Sequence, residues 1–248
     1  HEVTNEMYNA CVEAGVCPTV ISLEGRSTEQ VRNPLFATHP VTGISWNMAR
    51  KYCEWANVRL PTDAEWEFAA RGTAVQLYPW GNEDPDCNMV NMRGCSGLTA
   101  PVGANPGSNS PFEVMDMAGN VWEWTYDWYS DMYYHFAFSM NPAGPATYQD
   151  PDYPRKSVRG GSFLSRPNNL RTAARLGVDP FFAYEDVGFR CAESLGFTLP
   201  PDYVGVGDGI SIGGDPEDGD TPEWFYRIGH TSVTCPDPAN QIHIAIVF

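Results

Sequence analysis

The sequence predicts an α+β domain, loop-rich, with few short helices and strands. Three observations predict it. Helical periodicity is confined to three short stretches before residue 72; residues 73–160 lose it and are crowded with Pro, Gly, Asn and Trp; and every strand candidate is brief.

The first helix starts after Thr4, an N-cap, with Tyr8, Cys11 and Val12 on one face and Gly15 near its end. The second begins at about Trp46, where Ala49, Tyr52, Cys53 and Ala56 repeat at helical spacing. The third lies in "RLPTDAEWEFAARG". Thr62 and Glu65 form a capping box, Gly72 ends the helix, and Trp66 and Ala69 face inward. The strand candidates are "NVWEWTYDW", "KSVRGGSF" and "DVGFRCA". After about Ser194 the composition turns acidic and Gly/Pro-rich, then ends in "IHIAIVF", which reads as a buried closing strand. The expected organisation is therefore a domain over 1–194 and an extension over 195–248. The chain opens on "HEVTNEMY", already patterned, so further sequence is expected before it.

With 248 residues, 42% of them hydrophobic, the chain can bury a sizeable core. Its formal charge of −16 repels phosphate backbones and anionic lipid, which argues against nucleic acid and membrane-surface partners. No apolar run reaches the ~20 residues of a membrane helix, so direct membrane insertion is not expected. Excess carboxylate is also compatible with bound divalent cations.

There are seven cysteines and five scattered histidines, with no C-x-x-C, so zinc spacing is absent. Cys11/Cys17 and Cys87/Cys95 each bracket a short loop, as local disulfides do, which points to an extracytoplasmic location: secreted, periplasmic or cell-surface. Reduced buried thiols are the alternative. Cys235 is expected to be the odd one.

Read together, "HPVTGISWNMARKYCEWANVRLPTDAEWEFAARG", "LYPWGNEDPDCN", "TAPVGANPGSNSPFEVMDMAGNVWEWTYDWY", "NPAGP", "VRGGSF" and "DVGFRCA" resemble the formylglycine-generating enzyme (sulfatase-modifying factor) family. The match runs in order from about Glu2 to Ala192. The resemblance implies a variant of the C-type lectin fold. It also implies a disulfide from Cys53 to Cys191, worth on the order of 4 kcal/mol in the chain-entropy model.

Family enzymes oxidise a substrate cysteine with dioxygen through Cu(I) on two thiolates, and an alcohol cannot replace a thiolate there. The first thiolate's position is Ser165 here, and the stretch expected to hold the second, "RPNNLRTAAR", contains no cysteine. No copper is expected, nor any catalytic residue. The three-histidine iron of a related sulfoxide synthase group lacks its ligands. Serine hydrolysis lacks G-x-S-x-G and a nearby histidine, and Ser162 reads as a hydroxyl satisfying a tight Gly-Gly turn.

Calcium is the expected cofactor. The resemblance implies ligands at Asp116, the carbonyls of Gly119 and Val121, and Glu123. It implies a second site at Asn91 and the Met92 carbonyl, where the family's aspartate falls near Gly94 and one charged ligand is lost. The tail's "GDGISIGGDPEDGD" lacks EF-hand spacing and reads as a solvated loop.

Without a nucleophile, the stretch "RGGSFLSRPNNLRTAAR" still lies where this fold meets its substrate. Phe163, Leu164, Ser165, Arg166, Asn168 and Asn169 form a mixed face suited to a protein, peptide or glycan ligand, joined by Phe181, Phe182 and Tyr184. The pattern also resembles the ligand-binding region of retroelement-diversified variable proteins. Arg171 and Arg175 are expected to brace loops against carboxylates such as Asp127 or Glu185. The expected function is a non-catalytic, calcium-stabilised binding or assembly module. The alternatives are an oxidoreductase with an altered site, or a structural subunit of an extracellular assembly that offers "IHIAIVF" to a neighbour by strand addition.

Overall fold

Each predicted helix forms where its cap stands. The computed structural model describes residues 1–20, 31–74, 76–136, 142–148 and 153–193, with the short strand segments 227–228, 231–232 and 245–247. Helix α1 (Asn5–Glu13) is capped by Thr4, α2 (Trp46–Trp55) by Ser45, and α3 (Asp63–Arg71) by the Thr62–Glu65 capping box, with Gly72 at φ 64° closing it. A short α4 (Tyr133–Phe136) follows later. Among the described residues no helix is long and apolar enough to cross a membrane.

The central sheet has four strands in the order β3-β2-β1-β4. Strand β1 (Trp122–Trp128) runs antiparallel to β2 (Lys156–Arg159) and parallel to β4 (Val187–Phe189), and β3 (Arg175–Val178) pairs antiparallel with β2 as the outer strand. The sequence gives no periodic signal for β3, because its residues are only partly buried. Strand β5 (Cys191–Glu193) follows β4 at once, so "DVGFRCA" supplies two strands.

Strand β8 (Ala245–Val247) pairs antiparallel with β5, Ala192 opposite Ile246, and β6 (Arg227–Ile228) pairs with β7 (Thr231–Ser232). The end of "IHIAIVF" therefore pairs within its own chain. The acidic stretch 201–226 and Cys235 lie outside the described residues.

The main core joins α1 and α2 to the sheet. Tyr8 stacks on Tyr52 at 5.8 Å and Phe189 meets Tyr52 edge-on at 5.4 Å. Two indoles tie the sheet to the α2 segment: Trp46 donates to the Thr125 carbonyl and Trp124 to the Ile44 carbonyl, each at 2.8 Å. All six described cysteines are bonded as expected: Cys11–Cys17, Cys53–Cys191 and Cys87–Cys95.

Candidate binding face and its buried supports

Two glycines shape the turn that follows β2. Gly160 and Gly161 have φ of 91° and 78°, and a Cβ on Gly161 would sit 2.8 Å from the Asn169 carbonyl oxygen. The turn delivers Ser162 into a closed hydrogen-bond set. Its Oγ donates to Asp186 Oδ2 at 2.7 Å and accepts from the Leu164 amide at 3.2 Å. Ser165 Oγ accepts from the Ser162 amide at 3.0 Å and lies 3.3 Å from Ser162 Oγ. Burial raises the Asp186 carboxyl above its ordinary range while Ser162 opposes the shift. Both hydroxyls are buried and hydrogen-bonded within the turn, in keeping with the structural role read for Ser162.

Beyond Ser162 the side chains alternate between the interior and solvent. Phe163 and Ser165 are buried; Leu164, Arg166, Asn168 and Asn169 are exposed. Phe163 and Ser165 therefore do not join the expected binding face. The Phe163 amide is drawn to the Asn120 carbonyl at 2.8 Å, and the Ser165 carbonyl accepts from the Arg93 amide at 3.0 Å. Phe181 and Phe182 are exposed, as expected, at 69% and 54%. Tyr184 is half-buried, 6.3 Å from the Trp124 ring.

Arg175 braces, but not through the partners expected: its Nε donates to Asp63 Oδ2 at 2.8 Å and its Nη1 to the Ser130 carbonyl. Arg171 does not brace at all. It is exposed, with no ion pair among the described residues.

Under this face lie two buried charge clusters. In the first, Arg159, fully buried, pairs through Nε with Asp63 Oδ1 at 2.6 Å and through Nη2 with Glu67. Its Nη1 donates to the carbonyls of Thr172 and Ala174, both at 2.8 Å. Burial works against the Asp63 charge, but Arg159 and Arg175 hold its carboxyl below the usual range. Asp127 sits beside it, Oδ2 accepting from the Asp63 amide at 2.7 Å and Oδ1 buried without a partner against Gly144. Burial, then the Asp63 charge, pushes Asp127 up to about 8.

The second cluster contains two residues of the first expected calcium set, Asp116 and Glu123. Glu123 accepts from Arg190 Nε at 2.5 Å, from Arg190 Nη2 at 2.6 Å and from the Trp66 indole at 2.6 Å. Arg190 also donates to the Asp116 carbonyl at 2.9 Å, while the Asp116 carboxylate accepts from the Gly103 amide at 2.6 Å. One guanidinium thus holds the Glu123 carboxylate and the Asp116 backbone, while the Asp116 side chain turns to the Gly103 amide. Glu2, fully buried, adds a third carboxylate: Oε1 accepts from Asn120 and Oε2 has no partner. Burial, with Asp116 and Glu123, pushes its carboxyl well above the ordinary range. Sequence reasoning missed Glu2 and Arg190 here, although Arg190 stands inside the quoted "GFRC".

Asn91 and Met92 are turned into their own loop. Asn91 Oδ1 accepts from Ser96, its amide donates to the Leu98 carbonyl and Asn120, and the Met92 carbonyl accepts from the Cys95 amide. A depression of about 550 Å³ lies elsewhere, lined by Tyr133, Pro145, Ala146, Thr147 and Tyr148, and holds none of the expected site residues.

Comparison with known proteins follows the same lines. The family described as "Sulfatase-modifying factor enzyme 1-like domain" matches residues 1–195. A formylglycine-generating enzyme of Streptomyces coelicolor is 40% identical over 178 residues, covering 64% of this chain and 54% of its own. A serine/threonine-protein kinase pkn1 of Chlamydia caviae is 39% identical over 176 residues, covering 70% of this chain and 27% of its own. An inactive C-alpha-formylglycine-generating enzyme 2 of Bos taurus is 36% identical over 175 residues, covering 63% and 51%. The chain thus spans about half of these relatives, or less. Among solved structures, PvdO from Pseudomonas aeruginosa aligns with a TM-score of 0.60 at 24% identity, over 76% of each chain. Treponema denticola variable protein 1 aligns at 0.57 and 21% identity, over 76% of this chain and 80% of its own. These two likenesses speak to the fold alone.

Proposed function

Because the chain belongs to the sulfatase-modifying factor enzyme 1-like domain family, we propose that it is a member turned from oxidation to binding: a non-catalytic, extracytoplasmic, calcium-stabilised recognition or assembly module. Its ligand is a protein, peptide or glycan met at the exposed face around Leu164, Arg166, Asn168 and Asn169. One observation carries the reading. The resemblance puts the family's copper-thiolate position at Ser165, which is buried and hydrogen-bonded within its own turn. With six cysteines in disulfides, Cys235 is the single thiol left in the sequence, and Cu(I) in this family takes two.

The Bos taurus relative named inactive supports such a member, and the three disulfides support an oxidising compartment. The test is incubation with a cysteine-containing substrate peptide, copper and dioxygen, followed by mass spectrometry. The peptide is expected to return unchanged, and conversion of its cysteine to the aldehyde overturns the proposal.

Calcium belongs to the same reading at one site. Glu2 Oε2 is buried without a partner among the described residues and feels the Asp116 and Glu123 charges, which supports an added hard cation; no three carboxylates, histidines or cysteines there stand close enough to hold a metal by themselves, so backbone carbonyls would have to complete the set. Asp116, Glu123 and the carbonyls of Gly119 and Val121 would hold it, offsetting the excess negative charge. Asn91 and Met92 do not fit, since their oxygens serve the Cys87–Cys95 loop. A chelator is expected to lower the melting temperature by roughly 5 °C, reversed by added calcium. An unchanged melting curve removes calcium from the reading.

A further inference from the structure

Most described cations of this acidic chain are spoken for. Arg50, Arg59, Arg71, Arg159, Arg175 and Arg190 pair with carboxylates, Arg155 lies over the Tyr129 ring, and Lys156 lies among Trp46, Tyr126 and Trp128. Arg32, Lys51, Arg93, Arg166 and Arg171 are exposed and have no ion pair among the described residues. Three of those five belong to one place. The hydrogen bond from the Arg93 amide to the Ser165 carbonyl sets Arg93 beside Arg166. Arg166 and Arg171 flank the single 3-10 turn Pro167–Leu170, which at about 2 Å per residue separates their backbones by roughly 10 Å.

The platform beneath them is rigid. Leu170 is fully buried, Thr172 bonds by amide and hydroxyl to the carbonyls of Leu77 and Gln76, and the Cys87–Cys95 bridge holds the Arg93 loop. Such a platform presents the three side chains without the entropy cost of ordering a loop. Their charge also stands out against a net −16: over a Debye length of about 8 Å, a ligand senses the local guanidinium groups more than the distant carboxylates.

We propose that Arg93, Arg166 and Arg171 form an anion-recognition patch that docks an acidic peptide segment of a partner protein. The proposal deepens the binding reading above and rests on it. Guanidinium forks suit carboxylates, and the adjacent Asn168 and Asn169 amides can serve a peptide main chain. Leu164, 46% exposed beside Arg166, offers an aliphatic contact. The outer strand β3 begins four residues after Arg171, so its open edge can take an extended segment. A sugar ring finds no aromatic platform on this loop, because its one aromatic, Phe163, is buried.

The test is fluorescence anisotropy of the full chain with a labelled peptide of glutamates and leucines, against its glutamine counterpart. The glutamate peptide is expected to bind selectively and to weaken as salt rises. The triple variant Arg93→Ala, Arg166→Ala, Arg171→Ala should weaken binding by about tenfold or more, while Arg32→Ala with Lys51→Ala leaves it unchanged. Equal binding of the glutamine peptide, or an unaffected triple variant, overturns the proposal. So does arginine-dependent capture of a sulfated polysaccharide with no peptide binding, which would assign the patch to a glycan. The two readings fail separately. Aldehyde formation with peptide binding intact removes only the non-catalytic reading, and arginine-independent or absent peptide binding without aldehyde removes only the patch.

Discussion

Arg159 and Arg175, at the ends of the stretch "RGGSFLSRPNNLRTAAR", and Arg166 and Arg171, in its middle, carry the same side chain to opposite fates. The outer pair lies in the sheet, on β2 and β3, and both aim at Asp63 at the start of α3. The middle pair rides on a turn, and neither meets a carboxylate among the described residues. Charge that is locked by two elements serves the fold, and charge displayed by one loop stays at the surface, where the proposed patch would use it. The difference is set by which element carries the residue, since residue type and sequence neighbourhood are shared.

That contrast predicts the largest effect. Arg159→Ala leaves Glu67 and the buried Asp63 short of a guanidinium, with Arg175 as the one arginine still on Asp63, removes donors from the Thr172 and Ala174 carbonyls, and is expected to cost about 3–5 kcal/mol in urea unfolding. Arg166→Ala together with Arg171→Ala is expected to change stability by no more than about 0.5 kcal/mol, as surface substitutions do. Comparable losses at both places would erase the distinction between locked and displayed arginines.

The sequence made the locally encoded parts legible. Thr62 and Glu65 announce α3 because the capping box closes within one turn, and Cys11/Cys17 or Cys87/Cys95 pair across loops of 6 and 8 residues in sequence separation. The Cys53–Cys191 bridge spans 138 positions and was reached through the family resemblance, not through spacing. The charge clusters were not legible. Asp63 meets Ser157 and Arg175 at separations of 94 and 112, and Glu2 meets Asn120 at 118, so no window of sequence holds both partners. The candidate face was half legible: residue types marked Leu164, Arg166, Asn168 and Asn169, but which side chains alternate inward depends on the Gly160–Gly161 turn, and Arg93 arrives from a loop some seventy residues earlier.

Within the locked cluster a finer comparison separates two neighbouring aspartates. Asp63 has two arginines and stays charged, whereas Asp127 has none, faces Asp63 and Glu65, and gains only partial relief from Lys156. Its carboxyl titrates near 8 in the folded chain against an ordinary 3.8, so the native state holds a proton that the unfolded chain releases. The stability linked to that proton is fully present below about 4 and is lost as pH rises through about 8. Asp127→Asn keeps an acceptor for the Asp63 amide and removes the titration. Thermal melts from pH 5 to 9 are expected to show the original chain losing ground steadily to the variant, by roughly 5 °C at the alkaline end. Parallel melting curves across that range would mean that Asp127 is charged throughout, and that the cluster tolerates an unpaired carboxylate after all.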